Sequence, residues 1–405
     1  MSVSLPVRKV PFHQVSIGRA EMDAVQEAME SNWLSPRGPK VPELGRAWAD
    51  VVGHKHGIAT SSGTGAIHVA LLASGVGPGD TVIVPTYTCS PTVYPVSYVG
   101  ATPVFVDCEL ETYGMDPAKL EDALWRTKPK AIIVVDLYGS SCHEDTWEVL
   151  DAYRRRHELI VIEDACESVG GRYHAARLQE PEIPMTGARA DIGTFSLRGD
   201  KILTALGTGG IVTTNDDHLA RMIAYYVDLG LHNDSTMGRY RDLACVGMNY
   251  EISNPAAACG IVQIERREEI VAGRRESAAS WRDALAAAGA TPETVVWMDD
   301  YPGHAYYQFP LLFPRLRGAD DLDVVGERIQ ARSVPLIPPF WPMHLQPAYK
   351  AKWDGPRKRA ALANAEYASG HVLLFPCYPD LSEDDIAYMA AVITEEEQWT
   401  ATQQS

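Results

Sequence analysis

Lys201 is the single lysine between residues 131 and 349 of a 405-residue chain, a stretch that otherwise takes its positive charge from arginine. Arginine stays protonated and forms no imine, whereas a desolvated lysine amine can lose its proton and condense with a carbonyl. Lys201 lies in GTFSLRGDKILTALGTGG, a Gly-, Ser- and Thr-rich segment between two apolar runs. Taken alone, a lysine there is more often an exposed turn residue; its context in this segment reverses that. Asp164 ends the apolar run of LIVIEDACES. Strand ends at the mouth of a parallel sheet present ligand-contacting groups. A carboxylate there can pair with a protonated pyridine nitrogen and favour its charged form by ~1–3 pKa units. Asp164 also suits a helix N-cap, and Glu167 either reaches a phenolic oxygen of the same ring or caps that helix. Ser61-Ser62-Gly63-Thr64-Gly65 precedes an apolar run, and the free N–H groups of such a helix start attract anions. Ser196, five residues before Lys201, offers a second hydroxyl to a phosphate.

These groups need a sheet to hold them. Short apolar runs recur at 81–84, 103–107, 131–135, 159–162, 194–196 and 210–213, several separated by helical patterns such as 117–124 and 146–155. Continuous apolar strands alternating with helices predict a mostly parallel sheet covered on both faces. The Gly-rich 206–210 segment is expected to turn one strand back antiparallel. Helices are expected over 19–32, 41–52 and from about Thr64. Past residue 250 a long helix over 255–288, a Pro- and aromatic-rich region and a final helix over 383–397 indicate a smaller domain. The division expected is 1–250 and 251–405. Loops are expected over 172–190 and 231–246, and fraying over the last five residues.

Composition narrows the function. A net charge of −17 opposes nucleic-acid binding, which needs a basic footprint, and opposes an anionic membrane surface. No run is long enough to span a bilayer, and no apolar stretch follows the N-terminal basic residues as in a signal peptide. Seven cysteines without CxxC spacing read as free thiols of a cytoplasmic protein. No His/Cys/Asp cluster has metal-ligand spacing.

In order along the chain, WLSPRGPKV, SSGTGAIHVAL, VIEDACES, GTFSLRGDKILTALGTGGIVTTND and VGMNYEISNPAAACG resemble the DegT/DnrJ/EryC1/StrS family of sugar aminotransferases. The likeness runs from about residue 32 to 393. It implies an aspartate-aminotransferase-like, fold-type I α/β enzyme with pyridoxal 5′-phosphate (PLP) and an active site at a homodimer interface. By resemblance, Lys201 is the Schiff-base lysine and Asp164 the pyridinium partner. Gly63, Thr64 and Ser196 form the phosphate site, Glu167 stands where the family has Gln or Glu, and Asn249 reaches the phosphate of the neighbouring subunit's cofactor. Lysine at 201 argues against the family's dehydratase branch, which has histidine.

Several positions depart from the family pattern. Cys89 replaces an aromatic ring that stacks on the cofactor, a role Tyr87 is a candidate to take over. Val169 replaces a histidine. Glu251 and Ile337 replace basic residues, so Arg37, Lys40 and Arg198 become the candidate substrate-phosphate contacts. The FWPMHLQPAY segment (340–349) is a candidate pocket wall, with His344 either functional or packed. His54, Lys55 and His56 read as a solvated loop. His304, Tyr306 and Tyr307 read as part of a sheet in the small domain.

The expected reaction is amino transfer from an amino acid, L-glutamate first, to a nucleotide-linked 4-keto-6-deoxyhexose. The GDK form of the lysine motif and RYRDLACVGMNYEISNPAAACG resemble perosamine-synthase-like members, which favours a GDP-sugar. A keto-cyclitol aminotransferase of antibiotic biosynthesis and a PLP-binding regulatory protein without turnover are the alternatives.

Overall fold

β4 (Ala131–Val135) and β5 (Ile160–Asp164) show how the sheet is made. Their AIIVV and IVIED runs are β-branched and almost wholly buried, as strands covered on both faces must be. The structure is a computed structural model that describes residues 10–174, 184–231, 242–298, 300–353 and 361–403. The other strands of this sheet are β1 (His56–Thr60), β2 (Thr81–Pro85), β3 (Thr102–Val106), β6 (Ile192–Ser196) and β7 (Gly210–Thr214). Their order is β1-β7-β6-β5-β4-β2-β3. Only β7 runs antiparallel to its neighbours, because the Gly-rich segment turns the chain back and sets Gly210 opposite Ser196. The expected mostly parallel α/β sheet is therefore present.

The helices of the first part of the chain are α1 (Arg19–Glu30), α2 (Lys40–Val52), α3 (Gly63–Ala73), α4 (Ser90–Tyr98), α5 (Pro117–Thr127), α6 (Glu144–Arg154) and α7 (Asp217–Val227). One face of the sheet packs under α3, α4 and α7, through Val82, Val84, Ile133, Val135 and Val212. On the other face Ile132, Val134 and Val161 meet α5 and α6, while Phe195 and Ile211 meet α2. Each buried aliphatic side chain stabilises by about 1.5–3 kcal/mol, so alternate residues of the same strands hold both helical layers.

Instead of one long helix over 255–288, there are two, α8 (Asn254–Glu265) and α9 (Arg267–Ala287), broken at Arg266. Arg266 leaves the helix line to pair with Glu21 at 2.6 Å. Gln263 of α8 donates to Glu21 at 2.7 Å and accepts the Thr204 N–H at 3.2 Å. This pins the loop after Lys201 to α8 and α1. The remaining elements are β8 (Val296–Trp297), β9 (Phe309–Leu312), α10 (Ala319–Ala331), α11 (Pro347–Trp353), α12 (Ala363–His371), β10 (Val372–Phe375) and α13 (Glu383–Gln403). The three strands form a second sheet in the order β10-β9-β8, and the C-terminal helix continues to Gln403 where fraying was expected. The expected loops at 172–190 and 231–246 are closed by the isolated bridges Arg172–Met185 and Leu231–Leu243. Residues 175–183 and 232–241 within them lie outside the described residues.

Candidate active site

The sheet brings the ends of β5 and β6 and the start of α3 to one pocket. Gly63, Thr64, Cys89, Asp164, Glu167, Ser196 and Lys201 all line it. Asn249 is exposed and does not line it.

α3 begins where β1 ends. Ser62 caps it by accepting the Gly65 N–H at 3.0 Å. The first amides of a helix have no acceptor in a preceding turn, and among the described residues those of Gly63 and Thr64 meet none elsewhere. They therefore remain open to an anion. Position 63 has to be glycine, because a Cβ there would lie 2.9 Å from Cys166 Sγ and 2.9 Å from Ser196 Cβ. Thr208, which the sequence does not mark, also lines the pocket and donates to the Ser61 carbonyl at 2.6 Å.

Asp164 is 4% exposed at the end of β5. Its Oδ2 accepts from Thr92 Oγ1 at 2.7 Å and its Oδ1 from the Cys166 N–H at 3.2 Å. The segment after it is a turn, so Asp164 is no helix N-cap and Glu167 caps nothing. Thr92 is the unanticipated partner. Pro91 sits in the first turn of α4, where proline is tolerated.

Lys201 is 8% exposed and therefore no surface turn lysine. Its Nζ donates to Glu167 Oε1 at 2.9 Å and sits 4.3 Å from the ring centroid of Tyr307. Burial works against its charge, but Glu167 and then Tyr307 outweigh this and hold the ammonium well above the usual lysine range. Glu167 Oε2 accepts the Tyr138 N–H at 3.1 Å. Burial pushes the Cys89 thiol up to about 12, so it meets the pocket as a neutral group.

Other expectations change. Tyr87 is buried and does not line the pocket; its hydroxyl accepts from Tyr138 at 2.9 Å. His344 is locked between Thr86, at 2.7 Å, and Glu366, at 3.2 Å. The 340–349 segment gives the pocket no lining side chain. His54 is buried against Thr213 at 2.9 Å instead of lying in a solvated loop. His304–Tyr307 precede β9 and lie against the turn that follows β4, where the Ala305 and Tyr307 amides bond to the Gly139 and Tyr138 carbonyls at 2.8 and 2.9 Å. Of the candidate basic groups, Arg37 is paired with Asp228 at 2.8 Å and Lys40 with Glu43 at 3.2 Å. Arg198 lines the pocket and is 69% exposed.

The family profile described as the DegT/DnrJ/EryC1/StrS aminotransferase family matches residues 15–394. The chain belongs to this family. It is a PLP-dependent aminotransferase. GDP-perosamine synthase of Caulobacter vibrioides is 37% identical over 379 residues, 92% of this chain and 94% of that protein. GDP-perosamine synthase of Escherichia coli O157:H7 is 30% identical, over 96% of this chain and 99% of that protein. A family aminotransferase from Brucella abortus superposes with a TM-score of 0.79 at 29% identity, covering 92% of this chain and 94% of that one.

The pocket's donor set fits PLP. It offers open amides at a helix start for a phosphate, a buried carboxylate for a pyridinium, and a buried primary amine for an aldehyde. Among the described residues no helix is long and apolar enough to cross a membrane.

Proposed function

We propose that this aminotransferase moves an amino group from L-glutamate to the keto group of a nucleotide-linked 4-keto-6-deoxyhexose, with a GDP-sugar as substrate. The carrying observation is the buried Lys201–Glu167 pair at 2.9 Å within a pocket that also holds Asp164. The 37% identity to a GDP-perosamine synthase supports the sugar class. PLP supplies an electron sink and an aldehyde that carries the amino group between substrates.

The chain's residues do the rest. Lys201 would hold the cofactor through its amine and, when free, would carry the proton that amino transfer moves. Asp164 keeps the proton on the ring nitrogen. The Gly63 and Thr64 amides with Ser196 hold the phosphate. Cys89, which lines the pocket, would offer the ring a thin, polarizable contact, and Glu167 orients the lysine.

The reading includes a homodimer in which Asn249 serves the other subunit's phosphate. Its support is the exposure of Asn249 away from its own pocket. A groove of Ile17, Met22, Val25, Met29 and Leu206 adds to it, since apolar faces of this kind mark interfaces, and a second copy is the occupant. A second reading, a keto-cyclitol substrate, is favoured by the pairing of Arg37 with Asp228 and by Glu251 beside them, which leave little charge for a diphosphate.

The test is the half-reaction, followed by the cofactor's absorbance. Glutamate should convert the protein to the pyridoxamine form, and a GDP-linked 4-keto-6-deoxyhexose should return it. Return by a keto-cyclitol alone would establish the second reading. Failure of glutamate and glutamine alike would leave a binding protein without turnover. Borohydride should fix the cofactor to Lys201; a label on another lysine refutes the site.

A further inference from the structure

Lys201 has a second neighbour besides Glu167. Its Nζ lies 4.3 Å from the ring centroid of Tyr307, inside the range of about 6 Å at which a ring face attracts a cation. Tyr307 is 5% exposed, and cation–ring contacts are strongest where water is excluded.

Two backbone bonds and one ring contact hold Tyr307 in place. The Tyr307 N–H donates to the Tyr138 carbonyl at 2.9 Å, and the Tyr307 carbonyl accepts from Arg274 at 3.2 Å. His13, from the segment before α1, stacks on the ring at 5.7 Å and 20°. Burial lowers His13 to about 4, so it is neutral near pH 7 and adds no competing cation.

We propose that Tyr307 is a positioning residue for Lys201, its ring face holding the ε-ammonium beside Glu167 whenever the lysine is not bonded to the cofactor. The proposal rests on Lys201 being the cofactor lysine. During amino transfer that lysine has to be free while the cofactor carries the amino group. A four-carbon stem then has many rotamers, and a carboxylate with a ring face selects among them. The charged or titratable groups around the amine include Glu167, Tyr307, Cys89 and Cys166, His13, Asp164 in the same pocket, and Arg198 and Asp200 on its own loop.

The test uses the full-length protein loaded with pyridoxamine 5′-phosphate, whose own amine leaves Lys201 free. Pulsed acetylation across pH, read by mass spectrometry on the Lys201 peptide, gives the titration of that amine. Position 307 is replaced by phenylalanine and by phenylalanines carrying one to five fluorines, which keep the shape and progressively weaken the ring's negative face. Tyr307→Phe, which also removes the phenol, is the reference for the fluorinated series. The pentafluoro variant should titrate about 0.4–1.5 units lower, the size of a buried cation–ring contact, with intermediate variants in order of fluorine count. A titration that ignores fluorine count overturns the proposal. Borohydride mapping on the PLP-loaded parent separates the two failures: a label off Lys201 refutes the site reading, whereas a label on Lys201 with invariant titrations refutes only the role of Tyr307.

Discussion

The backbone N–H of Tyr138 donates to Glu167 Oε2 at 3.1 Å, so the carboxylate facing Lys201 is anchored by the neighbouring strand's turn. Tyr138 has φ 57° and ψ 9°, a left-handed conformation that costs a bulky residue about 1–3 kcal/mol. Packing holds it there. Its ring stacks on Phe340 at 5.6 Å and 9°, and its hydroxyl donates to Tyr87 at 2.9 Å. Gly139 follows at φ 101°, where a Cβ would meet the Tyr306 amide nitrogen at 2.5 Å. The strain fixes one Glu167 geometry before any ligand arrives.

Glu167→Gln keeps the shape and removes the charge that raises Lys201. A full charge at this distance shifts a partner by about 1–3 units. In the pyridoxamine-loaded protein the Lys201 titration should fall by that amount, and the matching limb of the kcat profile should move to lower pH. An unmoved titration would remove Glu167 from the lysine's environment.

Asp164→Asn should slow turnover by about ten- to a thousandfold, the equivalent of about 1–3 pKa units on the ring nitrogen. The cofactor should be retained nearly as well, because the α3 amides proposed to hold its phosphate are untouched. Thr92 can turn its hydroxyl to accept from the new amide, since Thr88 Oγ1 lies 3.0 Å away as an alternative acceptor. Near-normal kcat, measured with cofactor content fixed, would end the assigned role.

The parallel sheet and seven of the eight candidate residues converge as the sequence indicates, because they sit at strand ends and a helix start whose periodicity is local. Tyr307 was not legible. It lies some hundred residues past Lys201 in HAYYQF, which reads as small-domain strand, and contacts distant in sequence, among them the backbone bonds of Tyr307 to Tyr138 and of Ala305 to Gly139, carry it to the lysine. The break at Arg266 was likewise hidden, since its cause is Glu21 on a distant helix. α7 was legible in principle, from the N-cap Asp216 and an amphipathic run.

Asp136 and Glu163, on β4's exit and β5, are wholly buried. Burial, then the charge of Glu163, pushes the Asp136 carboxyl well above the usual range. The folded chain therefore holds the Asp136 proton to higher pH than the unfolded chain does. The contribution of Asp136 to stability is complete below the usual aspartate pKa of about 4 and is lost as pH rises towards the folded value, by up to about 1.4 kcal/mol per unit. Asp136→Asn does not titrate. Its melting temperature should therefore fall less between pH 5 and pH 8 than that of the parent, with Glu163 present in both. Parallel melting curves against pH would show that Asp136 is ionised in the fold.

The shared-site homodimer makes a separable prediction. If Asn249 serves the partner's phosphate, Lys201→Ala and Asn249→Ala chains should each be nearly inactive alone. In an isologous dimer each subunit lends the same residue to the other. A heterodimer of the two variants then has one site bearing both lesions and one bearing neither. With free exchange about half the dimers are mixed, so activity should return to about a quarter of the parent per total site, by the same symmetry. Mass spectrometry of differently tagged chains would establish that exchange has occurred, and the Asn249→Ala protein would be assayed alone for its residual rate. Exchange without recovered activity would place Asn249 at its own subunit's site or away from the phosphate altogether.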